Sequence, residues 1–208
     1  MLENPGLAGL GDRVWRRADF FRLSRMSECE RLRWQLDVVW SLLSLHLGQV
    51  TEEEALWEPA LNCWSVRRKL DGTWVADWVV PEPEPIPVPT IGWTMWHIGF
   101  WWSHAYRQCF GEAVALDWSA AAAATPWPGD VVSAVAWLNA CRDRWVDALE
   151  SLGEKDLDSA ERSEWFADGT LSLGHVFAWA NIELMKNAAE IGSMRHLYGA
   201  DRGTGPHR

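Results

Sequence analysis

Leu32, Leu36, Val39, Trp40, Leu43 and Leu47 recur at steps of three and four residues, so they share one face of a helix. Ser27-Glu28-Cys29-Glu30 precedes them with capping-box spacing and Gly48 follows, which predicts a first long helix over 27–47. Thr51-Glu52-Glu53-Glu54 repeats the box and predicts a short helix that stops before Pro59. From 64 to 78 the period changes to alternation around Asp71-Gly72, whose glycine supplies the positive φ of a small hairpin. Pro81, Pro83, Pro85, Pro87 and Pro89 then occupy every second position, a pattern that excludes a helix or sheet interior and predicts an extended polyproline connector. Thr90 caps a second long helix on which Trp93, His97, Phe100, Trp101 and His104 share a face, with Gly111 as a left-handed stop. After an alanine run at 120–124, with Pro126 and Pro128, comes a third helix with Val131, Val135, Leu138, Trp145 and Leu149 facing inward up to Gly153. A last helix is expected over about 172–198, ending at Gly199.

These elements define an all-α bundle with a proline-rich crossover and a small hairpin between the first two long helices. One domain over 27–199 follows, flanked by flexible segments at 1–26 and 200–208. The 208 residues, 48% apolar and 23% charged, are ordinary for a chain that folds by burial. A net charge of −10 argues against nucleic acid, whose phosphates need clustered Lys and Arg. The longest uncharged stretch, 90–106, is short for a membrane span and carries two histidines and the interruptions Gly92, Thr94 and Gly99, so it reads as a buried helix and no membrane partner is expected. Cys29, Cys63, Cys109 and Cys141 show no CxxC spacing, so reduced buried thiols are expected, and residues 1–12 lack the pattern of a signal peptide. Both point to the cytoplasm. The 17 tryptophans outnumber 6 Phe and 2 Tyr, which predicts an aromatic-walled interior or cleft.

On the last helix Trp179, Glu183, Asn187, Glu190 and Met194 form a stripe beside the apolar Phe177, Ala180, Leu184, Ala188 and Ile191. A carboxylate bordering a core needs a partner, which His97, His104 or Lys186 can supply to Glu183. Glu183 and Glu190 serve equally well as structural partners of arginines on neighbouring helices, and Asn187 as a cross-link between helices. Trp93, Trp96, Trp101 and Trp179 surround the chemistry-bearing positions, whereas helical spacing alone accounts for Trp34, Trp40, Trp137 and Trp145 as core. His46, His104 and His175 read as core histidines with satisfied ring nitrogens, and Glu52, Glu53 and Glu54 as a solvated helix start favoured by the dipole.

Trp93-Thr94-Met95-Trp96-His97-Ile98-Gly99 after the proline-rich segment, the run from Asn181 through Gly192, and Arg195-His196-Leu197-Tyr198 resemble the actinobacterial DinB-like superfamily. The likeness extends to Trp64-Ser65-Val66-Arg67, Asp71-Gly72 and Trp74. It implies an up-and-down four-helix bundle of the DinB type with a long crossover, and a homodimer. It also implies a divalent metal held by one second-helix histidine and a histidine pair on the last helix, used by some relatives in isomerases or transferases that depend on mycothiol or bacillithiol. His97 matches the first of these positions; the last-helix pair falls on Glu183 and Asn187, with Lys186 adjacent. A His97, Glu183, Asn187 set suits Mg²⁺ or Mn²⁺ better than zinc, while Lys186 can pair with Glu183 and make an ion unnecessary. Two functions follow as expectations. One is a small-molecule transferase or isomerase in which His97 and Glu183 are catalytic, with or without metal and thiol. The other is a metal-free protein that binds an apolar or aromatic ligand among Trp93, Trp96, Trp101, His104, Trp179, Lys186 and Glu190.

Overall fold

The computed structural model describes residues 26–111, 117–167 and 169–203. The expected N-terminal segment lies, apart from Met26, outside the described residues, as do 204–208 of the expected tail. Seven helices are present among the described residues: α1 (Glu28–Leu47), α2 (Glu52–Ala55), α3 (Ile91–Phe110), α4 (Trp118–Ala123), α5 (Val131–Glu150), α6 (Glu154–Asp158) and α7 (Leu173–Gly203). Four two- or three-residue strands complete them: β1 (Cys63–Trp64), β2 (Val66–Arg68), β3 (Trp74–Ala76) and β4 (Val88–Pro89).

Capping sets the helix starts. Ser27 Oγ accepts from Glu30 N at 3.2 Å while the Glu30 carboxylate accepts from Ser27 N at 2.8 Å, which closes the box that opens α1. The Thr90 and Asp130 side chains accept from Trp93 N and Ser133 N and so cap α3 and α5, without a reciprocal box. The hairpin pairs Arg67 with Val75 and Arg68 with Trp74, and Gly72 takes φ +88° in its turn. α1 packs on α7 and α5, and α3 packs on α7 and α5, so the four long helices enclose one core. Leu36, Leu43, Trp96, Phe100, Leu138, Trp145, Leu184 and Ile191 lie within it. Asn181, buried on α7, donates to the Leu32 carbonyl at 3.0 Å and ties α7 to α1.

Several expectations change on folding. Gly92 and Gly99 do not interrupt α3; a Cβ at Gly99 would lie 2.3 Å from the Trp137 ring, so the glycine is there to let that indole rest on the backbone. Gly111 ends α3 in an extended conformation, φ −111°, rather than a left-handed one, and the Arg107 carbonyl crowds its missing side chain. The proline connector does not stay unpaired: its end, β4, runs parallel to β1 as an edge pair, where proline's lack of an N–H is tolerated. Trp34 is exposed, because it lies two positions, about 200°, from Leu32 on α1. Val135 is only half-buried on α5.

α7 runs past Gly199 to Gly203, with the Arg202 guanidinium lying 5.2 Å over the Tyr198 ring and bonding Glu53, contacts that hold the final turn. The acidic start of α2 is also more than a solvated cap. Glu54 is buried and its carboxylate pairs with Arg195 at 2.8 Å, while Glu52 accepts the Val131 N–H at the start of α5. The Thr51 box is therefore only half formed, since Glu54 is engaged by α7 instead of the cap. Cys109 and Cys141 are buried free thiols as expected, whereas Cys29 and Cys63 are half-buried.

Candidate functional site

Helical spacing on α3 places Trp93, His97 and Trp101 one turn apart, and the short β1–β4 pairing brings Trp64 over the first of them. The result is a stack. Trp64 lies 5.0 Å from Trp93 at 24°, and Trp93 lies 4.8 Å from the His97 ring at 16°. The Trp93 N–H is tied to the Asp77 carbonyl at 2.6 Å, so the stack is anchored to the hairpin. Trp101, one turn on, donates its indole N–H to His97 Nε2 at 2.8 Å. Burial foremost, and then the Lys186 ammonium, push the His97 pKa down to about 4 against the opposing effect of the Asn187 amide, so the ring is neutral at pH 7.

That geometry fixes the imidazole tautomer. A neutral ring carries one N–H, and indole only donates, so Nε2 is the acceptor and the proton sits on Nδ1. Nδ1 and Asn187 Oδ1 are both buried and have no hydrogen-bond partner among the described residues. The Asn187 amide lies near enough to the ring to act on it as a hydrogen-bonding group. A cavity of about 230 Å³ lies between α3 and α7, lined by His97, Trp93, Lys186, Asn187 and Glu190 together with Glu82, Ile86, Pro87, Pro89 and Trp64.

Of the residues singled out by sequence, the cavity gathers His97, Trp93, Lys186, Asn187 and Glu190. Glu183 does not line it; its carboxylate is paired with Lys186 at 2.8 Å on the rim. Burial raises the Glu190 pKa, aided by Glu183 and opposed by Lys186. Trp96 is fully buried with its N–H on the Thr125 carbonyl at 2.6 Å and belongs to the core. Trp101 and Trp179 instead wall a second cavity, of about 170 Å³, with Trp118, Trp165, Phe166 and Ala167. His104 lies behind that wall, its rings 5.0 Å from Trp118 and 6.2 Å from Trp165, with Nε2 3.3 Å from the Gln108 amide. His175 is exposed rather than core, and its Nδ1 meets Ser172 Oγ at 2.9 Å at the start of α7. Sequence reasoning passed over Trp64, Trp118 and Trp165 as site residues; Trp64 carried only the family likeness, and Trp118 and Trp165 only the abundance of tryptophan. A larger groove of about 850 Å³ between α3 and α5 offers Arg107 and Arg144 but no acid, imidazole or thiol among its described lining residues.

The donor set does not fit the divalent metal that the resemblance implies. The His97 Nε2 lone pair is taken by an indole, Nδ1 carries the proton, and Glu183 is turned to a lysine. Among the described residues no three His, Cys, Asp or Glu side chains come together as a metal-holding group.

The fold and the site define a mostly helical protein with a tryptophan-walled polar cavity between its second and last long helices. A family model described as DinB superfamily matches residues 35–191, and the chain belongs to that superfamily. No curated protein and no solved structure matches it. No helix among the described residues is long and apolar enough to cross a membrane.

Proposed function

We propose that this DinB-superfamily chain, an up-and-down four-helix bundle with a long crossover, takes a small polar organic molecule in the cavity between α3 and α7 by direct hydrogen bonds, without a metal ion. One observation carries this reading: His97 and Asn187 line the same cavity, and His97 Nδ1 and Asn187 Oδ1 are buried without a hydrogen-bond partner among the described residues. Unsatisfied buried polar groups cost about 1–3 kcal/mol each, so their pairing is available to a ligand that both accepts and donates, such as a hydroxy acid or an amide. Lys186 at the rim, though paired with Glu183, can donate a further hydrogen bond to the ligand. The flat face of Trp93 supplies apolar contact.

The test is a thermal-shift and calorimetric screen of small hydroxy acids, amides and neutral alcohols against the wild-type chain and Asn187→Leu. Hits of the first two kinds that Asn187→Leu abolishes support the reading. Binding that survives the substitution, or that needs an added divalent cation, sinks it.

A second reading, metal-independent proton transfer, rests on Glu190, whose carboxyl has a raised pKa in the same cavity. Its test is conversion of a bound hit, followed by NMR of the small molecule, and loss of that conversion in Glu190→Gln. His97 is the poorer base of the two, because its one free lone pair is held by Trp101. The resemblance also implies a homodimer, which light scattering on the full chain checks.

A further inference from the structure

We propose that the second cavity, walled by Trp101, Trp118, Trp165, Phe166 and Trp179, receives a quaternary ammonium group. The five rings come from α3, α4, the segment before α7 and α7 itself, and each is half-buried, so their faces are reachable. They form a box rather than a stack: Trp101 meets Trp179 at 84° and Trp118 at 52°, and Phe166 meets Trp165 at 63° and Trp179 at 53°. Parallel faces would suit a flat ring; rings set at steep angles to one another around a cavity suit a compact cation attracted by more than one π cloud. Two of the indole N–H groups are committed outside the box, Trp101 to His97 and Trp165 to Cys109 Sγ at 3.4 Å.

Charge points the same way. Four other rings, Trp40, Tyr106, Phe110 and Tyr198, are covered by arginines of this chain at 5.2 to 5.8 Å, whereas no such cover lies over the five box rings among the described residues. Arg162, which lies closest in sequence to Trp165, is the one over Phe110. Exposed Asp117, Glu161 and Glu164 flank the rings in sequence, in a chain of net charge −10. Among the described residues no carboxylate lines the box. The described lining side chains offer a primary ammonium no carboxylate to accept its N–H groups, while a methylated nitrogen has none to satisfy. At about 170 Å³ the space suits a tetramethylammonium-sized group. Ala167, directly after Trp165 and Phe166, has φ +53°.

The test titrates the full chain with tetramethylammonium, choline and the uncharged choline isostere 3,3-dimethylbutan-1-ol, reading calorimetry and indole N–H resonances. Saturable binding of both cations, with the isostere about tenfold weaker or more, is expected. Trp118→Leu, on a peripheral six-residue helix with no buried residue, is expected to weaken choline about tenfold with unchanged circular dichroism. Equal affinity for the isostere, which needs no variant to measure, overturns the proposal and leaves an apolar cleft. Absence of saturation, or choline binding that Trp118→Leu does not change, overturns it too.

Discussion

Lowering the pH towards 4 should destabilise this protein through His97 in particular. An unfolded histidine titrates at 6.5, whereas burial holds the native ring to about 4, so between those values the unfolded chain binds a proton that the native one refuses. The native state is favoured fully above pH 6.5; the advantage shrinks as the pH falls through the window and stays lost below about 4. At about 1.4 kcal/mol per pH unit, the loss at pH 4.5 works out to roughly 2.5 kcal/mol. Carboxylates titrate in the same range, so the quantity to measure is a difference. Urea unfolding of the wild type and of His97→Gln at about pH 7 and 4.5 gives it, since the glutamine has no proton to bind. The wild type should lose roughly 2.5 kcal/mol more than the variant, and the His97 ring resonances should titrate well below 6. A gap between wild type and variant that stays constant with pH, or a ring that titrates near 6.5, refutes the buried neutral imidazole and with it the case against a metal.

The tautomer is open to direct measurement: long-range proton–nitrogen NMR should show Nδ1 protonated in the wild type and a mixture in Trp101→Phe, which should also cost about 1–2 kcal/mol; an Nε2–H in the wild type would contradict the Trp101 bond. Asn187→Leu should raise stability by about 1 kcal/mol while removing ligand binding, as replacing an unsatisfied polar group at a site commonly does; a marked loss of stability would make Asn187 a structural cross-link instead. Gly99→Ala should cost about 1–3 kcal/mol through overlap with Trp137, less the gain in helix propensity, and Gly99→Ala with Trp137→Ala should remove the overlap; a more stable single variant would contradict the close approach. Glu54→Ala should cost about 3 kcal/mol in chemical denaturation because it leaves Arg195 half-buried and unpaired, and an effect below 0.5 kcal/mol would return Glu54 to a surface cap.

The four long helices were legible from apolar spacing, from caps at Ser27 and Thr90 and from Pro126 and Pro128 ahead of the third, because helix periodicity and capping are local and act within a turn or two. The hairpin at Asp71-Gly72 was legible for the same reason. Where a helix ends was less so: Gly199 carries the usual stop signal, yet contacts of Arg202 with Glu53 and Tyr198 carry α7 onward. His97, Asn187, Lys186 and Glu190 could be named from two stripes on separate helices, but their chemistry could not. Whether Glu183 turned to an imidazole or to Lys186, and whether an indole would take the lone pair of His97, depended on side-chain directions across helices far apart in the chain. The split of the tryptophans into a core, a stack on His97 and an open five-ring box likewise came from tertiary packing, since composition counts indoles and only the fold decides which faces meet.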